Sequence, residues 1–129
     1  TILTAARHLP LGQFDAVDLN LGCPQGIARK GHYGSFLLTE PDLITGIVRH
    51  LDTELPVPVT VKIRMVNDRE LQDTLNLASA LEAAGASVVC VHGRTKEMKG
   101  QQTGACNWDA IAAVRRRAGV PVIANGGIE

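Results

Sequence analysis

Four short stretches of the 129-residue chain place reactive side chains at the end of an otherwise apolar run. They are Asp18-Leu19-Asn20-Leu21-Gly22-Cys23-Pro24, Val61-Lys62-Ile63-Arg64, Val91-His92-Gly93-Arg94-Thr95 and Ala124-Asn125-Gly126-Gly127. Cys23 stands in a tight Gly-Cys-Pro turn. An ordinary thiol, with a pKa of ~8.5, keeps its proton at neutral pH, so Cys23 is open to three readings: proton donor, activated nucleophile or inert side chain. Lys62 and Arg64 are two residues apart, so in a strand they share a face. A cation within a buried strand is costly unless it is paired or faces a site. Two of them at an open mouth would hold an anionic cofactor or substrate; the competing reading ends the strand at Val61 and leaves both in solvent. Arg94 shares a face with His92, which is either a hydrogen-bonded structural residue or a donor toward a ligand. No second histidine stands at ligand spacing, so no metal is expected. The glycines after Asn125 would let backbone N–H groups approach a phosphate, although Gly-Gly also makes ordinary turns. There is neither a GxGxxG loop nor a GxxxxGK[ST] loop.

The elements that must position these residues are readable as an alternation. Asp15 to Leu21, Val57 to Met65, Ala86 to His92 and Val120 to Asn125 are nearly continuous runs of Val, Ile and Leu, the pattern of parallel strands covered on both faces. Leu43, Ile44, Ile47, Val48 and Leu51 recur at helical spacing after Pro41, a good first-turn residue. Leu71, Leu75, Ala78 and Leu81 do the same between a cap at Asp68 and a stop at Gly85. A further helix runs from Trp108, capped by Asn107, to Gly119, and Ile2 to Leu9 reads as the remainder of an earlier one. Strand starts ~30 to 40 residues apart are the size of a β/α unit, and right-handed crossovers make the sheet parallel. Two architectures fit: a doubly wound open sheet, or about half of a (β/α)8 barrel. In both, sites lie at the carboxyl edge of the strands, where all four reactive clusters fall, while the entries to the strands are bland.

Composition bounds the rest. Lys plus Arg and Asp plus Glu number 13 each, which excludes a globally basic nucleic-acid binder but not a local basic patch. Arg29, Lys30 and His32, then Arg94, Lys96 and Lys99, fall on the reactive edge and would form such a rim for a polyanion, or else ordinary solvated loops. Arg115-Arg116-Arg117 reads as a solvated helix face. Aromatics at 3% argue against a base-stacking platform. Cys23, Cys90 and Cys106 make neither a disulfide framework nor a metal site; Cys90 reads as a small core residue, and Cys106 has no evident role. No apolar run approaches the ~18–20 residues of a membrane span. The abrupt ends read as those of a piece of a longer protein.

Asp18-Leu19-Asn20-Leu21-Gly22-Cys23-Pro24-Gln25, Gly31-His32-Tyr33-Gly34-Ser35, Lys62-Ile63-Arg64, His92-Gly93-Arg94-Thr95 and Ala124-Asn125-Gly126-Gly127, in this order and spacing, strongly resemble the tRNA-dihydrouridine synthase family. Gln25 to Ser35 resembles its eukaryotic branch acting on D-loop uridines. The resemblance implies an α/β fold, a partial (β/α)8 TIM barrel binding FMN. Residues 1–129 would be the third to sixth β/α units, with the helical tRNA-binding domain absent. It implies reduction of the uracil C5–C6 double bond in tRNA, with FMN and NADPH or NADH supplying hydride and Cys23 protonating C5 as general acid. Lys62, His92, Asn125, Gly126 and Asn20 would hold the flavin, and Asn20, Arg64 and Arg94 the substrate. Gly127 stands where many bacterial members carry Asp, so it receives no role. The partner would be tRNA, with no membrane and no metal, in the cytoplasm and also the nucleus. The fragment alone is expected to be inactive. Two alternatives stand beside this: an FMN-barrel oxidoreductase acting on a free pyrimidine, of the dihydroorotate dehydrogenase kind, and a non-catalytic truncated fragment.

Overall fold

Two prolines set where strands begin. The computed structural model describes residues 1–128, with strands β1 (Val17–Leu21), β2 (Val59–Arg64), β3 (Ala86–His92) and β4 (Val122–Asn125). Pro58 and Pro121 have no N–H to donate to a ladder. Their carbonyls instead accept from Val17 N (2.9 Å) and Val89 N (3.1 Å). Pairing therefore opens at Val59 and Val122, two residues later than the apolar runs indicate. β1 likewise opens at Val17 rather than Asp15.

Helices α1 (Ile2–Arg7), α3 (Pro41–Glu54), α4 (Leu71–Ala83) and α5 (Trp108–Arg117) alternate with the strands. A short α2 (Gly26–Gly31), absent from the sequence reading, follows the Cys23 turn. Pro41 opens α3, and Ile44, Val48 and Leu51 form its buried stripe. The start of α4 differs from expectation. Asn67 Oδ1 accepts from Arg69 N (3.0 Å) and Glu70 N (2.6 Å), closing a turn that moves the cap from Asp68 to Glu70. Asn107 caps α5 as expected, accepting from Ala110 N at 2.9 Å. Gly85 ends the α4 segment at φ +115°, and a Cβ there would lie 2.6 Å from Asp52 Cγ.

All strands are parallel, in the order β1-β2-β3-β4. Sequential order decides between the two architectures. Each right-handed crossover steps the same way, so the long helices between the strands lie on one face of the sheet; a doubly wound sheet reverses direction and covers both faces. Here α1 packs on α3, α3 on α4 and α4 on α5. This is a section of a barrel wall. Val59, Val61, Ile63 and Val91 point to the helices and are fully buried with Ile44, Val48, Leu51 and Leu81. Each contributes ~1.5–3 kcal/mol by leaving water. The other face carries Asp18, Thr60, Lys62, Cys90 and Ile123. Cys90 therefore does not join the core as expected: it neighbours Lys62 in the register on the opposite face.

Candidate active site

Parallel pairing sets the polar residues in rows. Asn20 stands opposite Lys62, and Lys62 opposite Cys90. One step closer to the carboxyl edge, Arg64 stands opposite His92, and His92 opposite Asn125. Paired residues of a parallel sheet point the same way, so one face near one end brings together Asn20, Lys62, Arg64, His92 and Asn125. β2 continues to Arg64, so the reading that ends it at Val61 does not hold.

Asn20 Oδ1 accepts from Gly22 N at 3.0 Å, which turns the chain after β1. A Cβ on Gly22 would lie 3.5 Å from both Asn20 Oδ1 and Lys62 Nζ, so amide and amine converge on a residue with no side chain. Among the described residues the only ion pairs join Arg7 to Glu54 and His32 to Glu40, which leaves Lys62 without a carboxylate partner. Burial raises the Cys90 thiol pKa, against the opposing pull of the Lys62 cation.

Arg64 is 9% exposed, and its donors serve backbone carbonyls. Nε donates to Gly22 O at 3.0 Å, and Nη1 to Thr95 O at 2.8 Å and Met98 O at 3.2 Å. The side chain expected to meet substrate thus ties the loop after β1 to the loop after β3. Burial, and then the nearby Arg94 cation, lowers its pKa from the ordinary value.

His92 lies among three cations. Burial first, then Arg64, Lys62 and Arg94, pushes its pKa down to about 4, so the ring is neutral at physiological pH. Arg94 Nη1 lies 3.3 Å from His92 Nε2. A guanidinium can only donate, so Nε2 is the acceptor and the ring proton sits on Nδ1. Arg94 Nε donates to Gly104 O at 2.7 Å. Gly126 has φ +105°, and a Cβ there would lie 2.6 Å from His92 Nε2, so only glycine lets the chain after β4 cross the imidazole. Cys106 is half-buried with Sγ 3.6 Å from Asn125 O.

Cys23 is half-buried at the same end. Its carbonyl accepts from Ser35 N (3.0 Å) and Ser35 Oγ (2.9 Å). Lys99 Nζ donates to Pro24 O. Sequence reasoning gave Ser35, Thr95 and Cys106 no separate role and placed Lys99 only in the basic rim. Ser35 had one available signal, its place in the Gly-Ser pair after the thiol; nothing signalled the bond from Lys99 to Pro24 O. A cleft lined by Leu38, Pro41, Val66 and Leu77 lies between α3 and α4, away from this cluster.

A singly wound sheet with helices on one face, and with a thiol, an amide and several cations at its carboxyl end, defines part of a (β/α)8-barrel protein whose site opens at that end. The family described as dihydrouridine synthase matches residues 1–129. The chain is 54% identical over 113 residues to the tRNA-dihydrouridine(16/17) synthase, NAD(P)(+), of Saccharomyces cerevisiae, covering 88% of this chain and 26% of that protein. It is 50% identical over 128 residues to the corresponding "-like" protein of Mus musculus, covering 99% and 26%. It is 43% identical over 129 residues to the tRNA-dihydrouridine(16) synthase of Yersinia pestis, covering 96% and 39%. The chain belongs to the dihydrouridine synthase family. It spans about a quarter of the length of the yeast and mouse relatives.

Proposed function

We propose that residues 1–129 are part of the catalytic barrel of a tRNA-dihydrouridine synthase. The complete protein reduces the uracil C5–C6 double bond of D-loop uridines, at the position 16 or 17 that its relatives' names carry. One observation carries this reading: Asn20, Lys62, His92 and Asn125 share one face and one end of the sheet, with Cys23 on the adjoining turn. An oxidoreductase acting on a free pyrimidine is the weaker reading, because the relatives are named for tRNA.

The residues suit FMN by their donor chemistry. Lys62 has no carboxylate partner among the described residues, and Gly22 leaves the space before it open. Lys62 and Asn20 would hold the polar edge of the ring system, and His92, Asn125 and Gly126 the phosphate end. FMN would carry two electrons from NADPH or NADH to the pyrimidine.

The remaining chemistry belongs to the chain. Uracil accepts hydride at C6 and a proton at C5, and Cys23 Sγ supplies that proton as general acid. With FMN bound, the Lys62 ammonium would offset negative charge on the flavin. His92, being neutral, accepts the Arg94 hydrogen bond and holds that guanidinium at the edge of the site. Arg64 positions the Cys23 turn through Gly22 O. Arg94, Arg29 and Lys96 offer cations to the RNA backbone. The target base must leave its stack, which costs a few kcal/mol, less for an already loosened D-loop base.

Cys23→Ala in the full-length protein tests the reading. Bound flavin and NADPH oxidation should persist while dihydrouridine in tRNA, counted by mass spectrometry, collapses. Normal product from that variant removes the thiol from the mechanism.

A further inference from the structure

Three successive carbonyls of the Gly22-Cys23-Pro24 turn are each held by a different segment. Arg64 Nε on β2 donates to Gly22 O at 3.0 Å. Ser35 donates twice to Cys23 O, from its backbone N at 3.0 Å and its Oγ at 2.9 Å. Lys99, between β3 and α5, donates to Pro24 O. A turn closes with one bond to its own neighbour, so three outside donors exceed what chain reversal requires. The same Arg64 guanidinium also binds Thr95 O and Met98 O, within the segment that carries Lys99. The turn and the β3–α5 loop are therefore linked twice.

The three holders differ in exposure. Ser35 is fully buried and Arg64 nearly so, whereas Lys99 is exposed. Lys99 also lines a cleft of about 330 Å3 with Arg29, Lys96 and Phe36. Lys96 lies over the Phe36 ring at 5.7 Å. Of the three links, the one through Lys99 alone can be cut without opening the core.

We propose that Lys99 is a positioning residue for Cys23: its ammonium, held on Pro24 O, seats the β3–α5 loop against the turn and so sets the direction of the thiol. The inference rests on reading Cys23 as the proton donor. Removing the ammonium frees one end of the turn while Arg64 and Ser35 still hold the other two carbonyls. The thiol then samples orientations that the intact turn forbids.

The test uses the full-length flavoprotein with Lys99→Met, which keeps the aliphatic stem, and Lys99→Arg, which restores a cationic donor. Iodoacetamide alkylation of Cys23 is followed by peptide mass spectrometry, with Cys90 and Cys106 as internal references. In Lys99→Met, Cys23 should react about five- to tenfold faster, the scale of one lost charge-assisted hydrogen bond at a partly exposed site. The other two thiols and the flavin content should not change. Turnover of tRNA should fall in kcat with KM retained, and Lys99→Arg should restore both readouts. An unchanged Cys23 alkylation rate overturns the proposal, as does a raised KM at normal kcat, which would make Lys99 a contact for RNA instead. If Cys23→Ala forms product normally, the proton-donor reading fails, while the alkylation result still judges the link from Lys99 to the turn.

Discussion

His92 offers the sharpest test of the electrostatics at the strand ends. Its pKa in the folded chain is about 4, with burial as the larger cause and Arg64, Lys62 and Arg94 adding to it. An unfolded histidine titrates near ~6.5. Between those values the unfolded chain holds a proton that the folded chain refuses. Stability from this residue is therefore complete above ~6.5 and drains away as the pH falls toward 4. At ~1.36 kcal/mol for each tenfold change in proton affinity, the ceiling is ~3 kcal/mol. Solvent screening of this partly exposed ring brings the expected loss to ~1–2 kcal/mol.

Urea unfolding of the flavin-free 129-residue chain and of its His92→Gln variant, measured between pH 7 and 4.5, isolates the term. Carboxylate titration is common to both, so the difference between the curves belongs to His92. The chain should lose ~1–2 kcal/mol relative to the variant across that window. In proton NMR, the imidazole resonance missing from His92→Gln should keep its neutral shift down to about pH 5. Inorganic phosphate should move that midpoint upward, because an anion beside Arg94 and Lys62 cancels part of the repulsion that keeps the ring neutral. A midpoint near ~6.5 without added anion, or a stability difference flat with pH, refutes the reasoning.

Two further perturbations follow from the same geometry. Gly34 has φ +65°, and a Cβ there would fall 2.6 Å from Cys23 O and 2.9 Å from Cys23 Cβ. Gly34→Ala should therefore destabilise the chain by about 1–3 kcal/mol in urea titration, and unchanged stability would mean the turn is looser than described. Lys62→Met in the complete flavoprotein should lower the flavin retained through gel filtration, or slow flavin reduction by NADPH, by about tenfold. Unaltered flavin absorbance and reduction rate would remove Lys62 from the flavin site.

What the residues could announce and what they could not divides along a physical line. Parallel strands covered on both faces appear as unbroken apolar runs, so β2 and β3 are legible, and a lysine or histidine inside such a run stands out, as Lys62 and His92 do. The order of the strands is another matter. The runs carry no label for their neighbours, so by themselves they leave a doubly wound sheet and a barrel wall both open; the motif resemblance points to the barrel, and the sequential pairing decides it physically. The side taken by Cys90 was hidden for a related reason. In Ala86-Ser87-Val88-Val89-Cys90-Val91-His92 small and apolar residues occupy both parities, and only the packing of Val89 and Val91 on the helices puts the thiol on the other face. The roles of Arg64 and Lys99 were illegible for a deeper cause. Arg64 reaches Gly22 O across 42 positions and Thr95 O across 31, and Lys99 reaches Pro24 O across 75. Each of these bonds ends on a backbone carbonyl, a group that every residue carries and that no sequence pattern marks. A chain can display its donors in its letters, but carbonyl acceptors acquire an address only when folding brings them into reach. The side chains that steady the Cys23 turn therefore belong to the class that motif reading is least able to find, even where the thiol itself is plain.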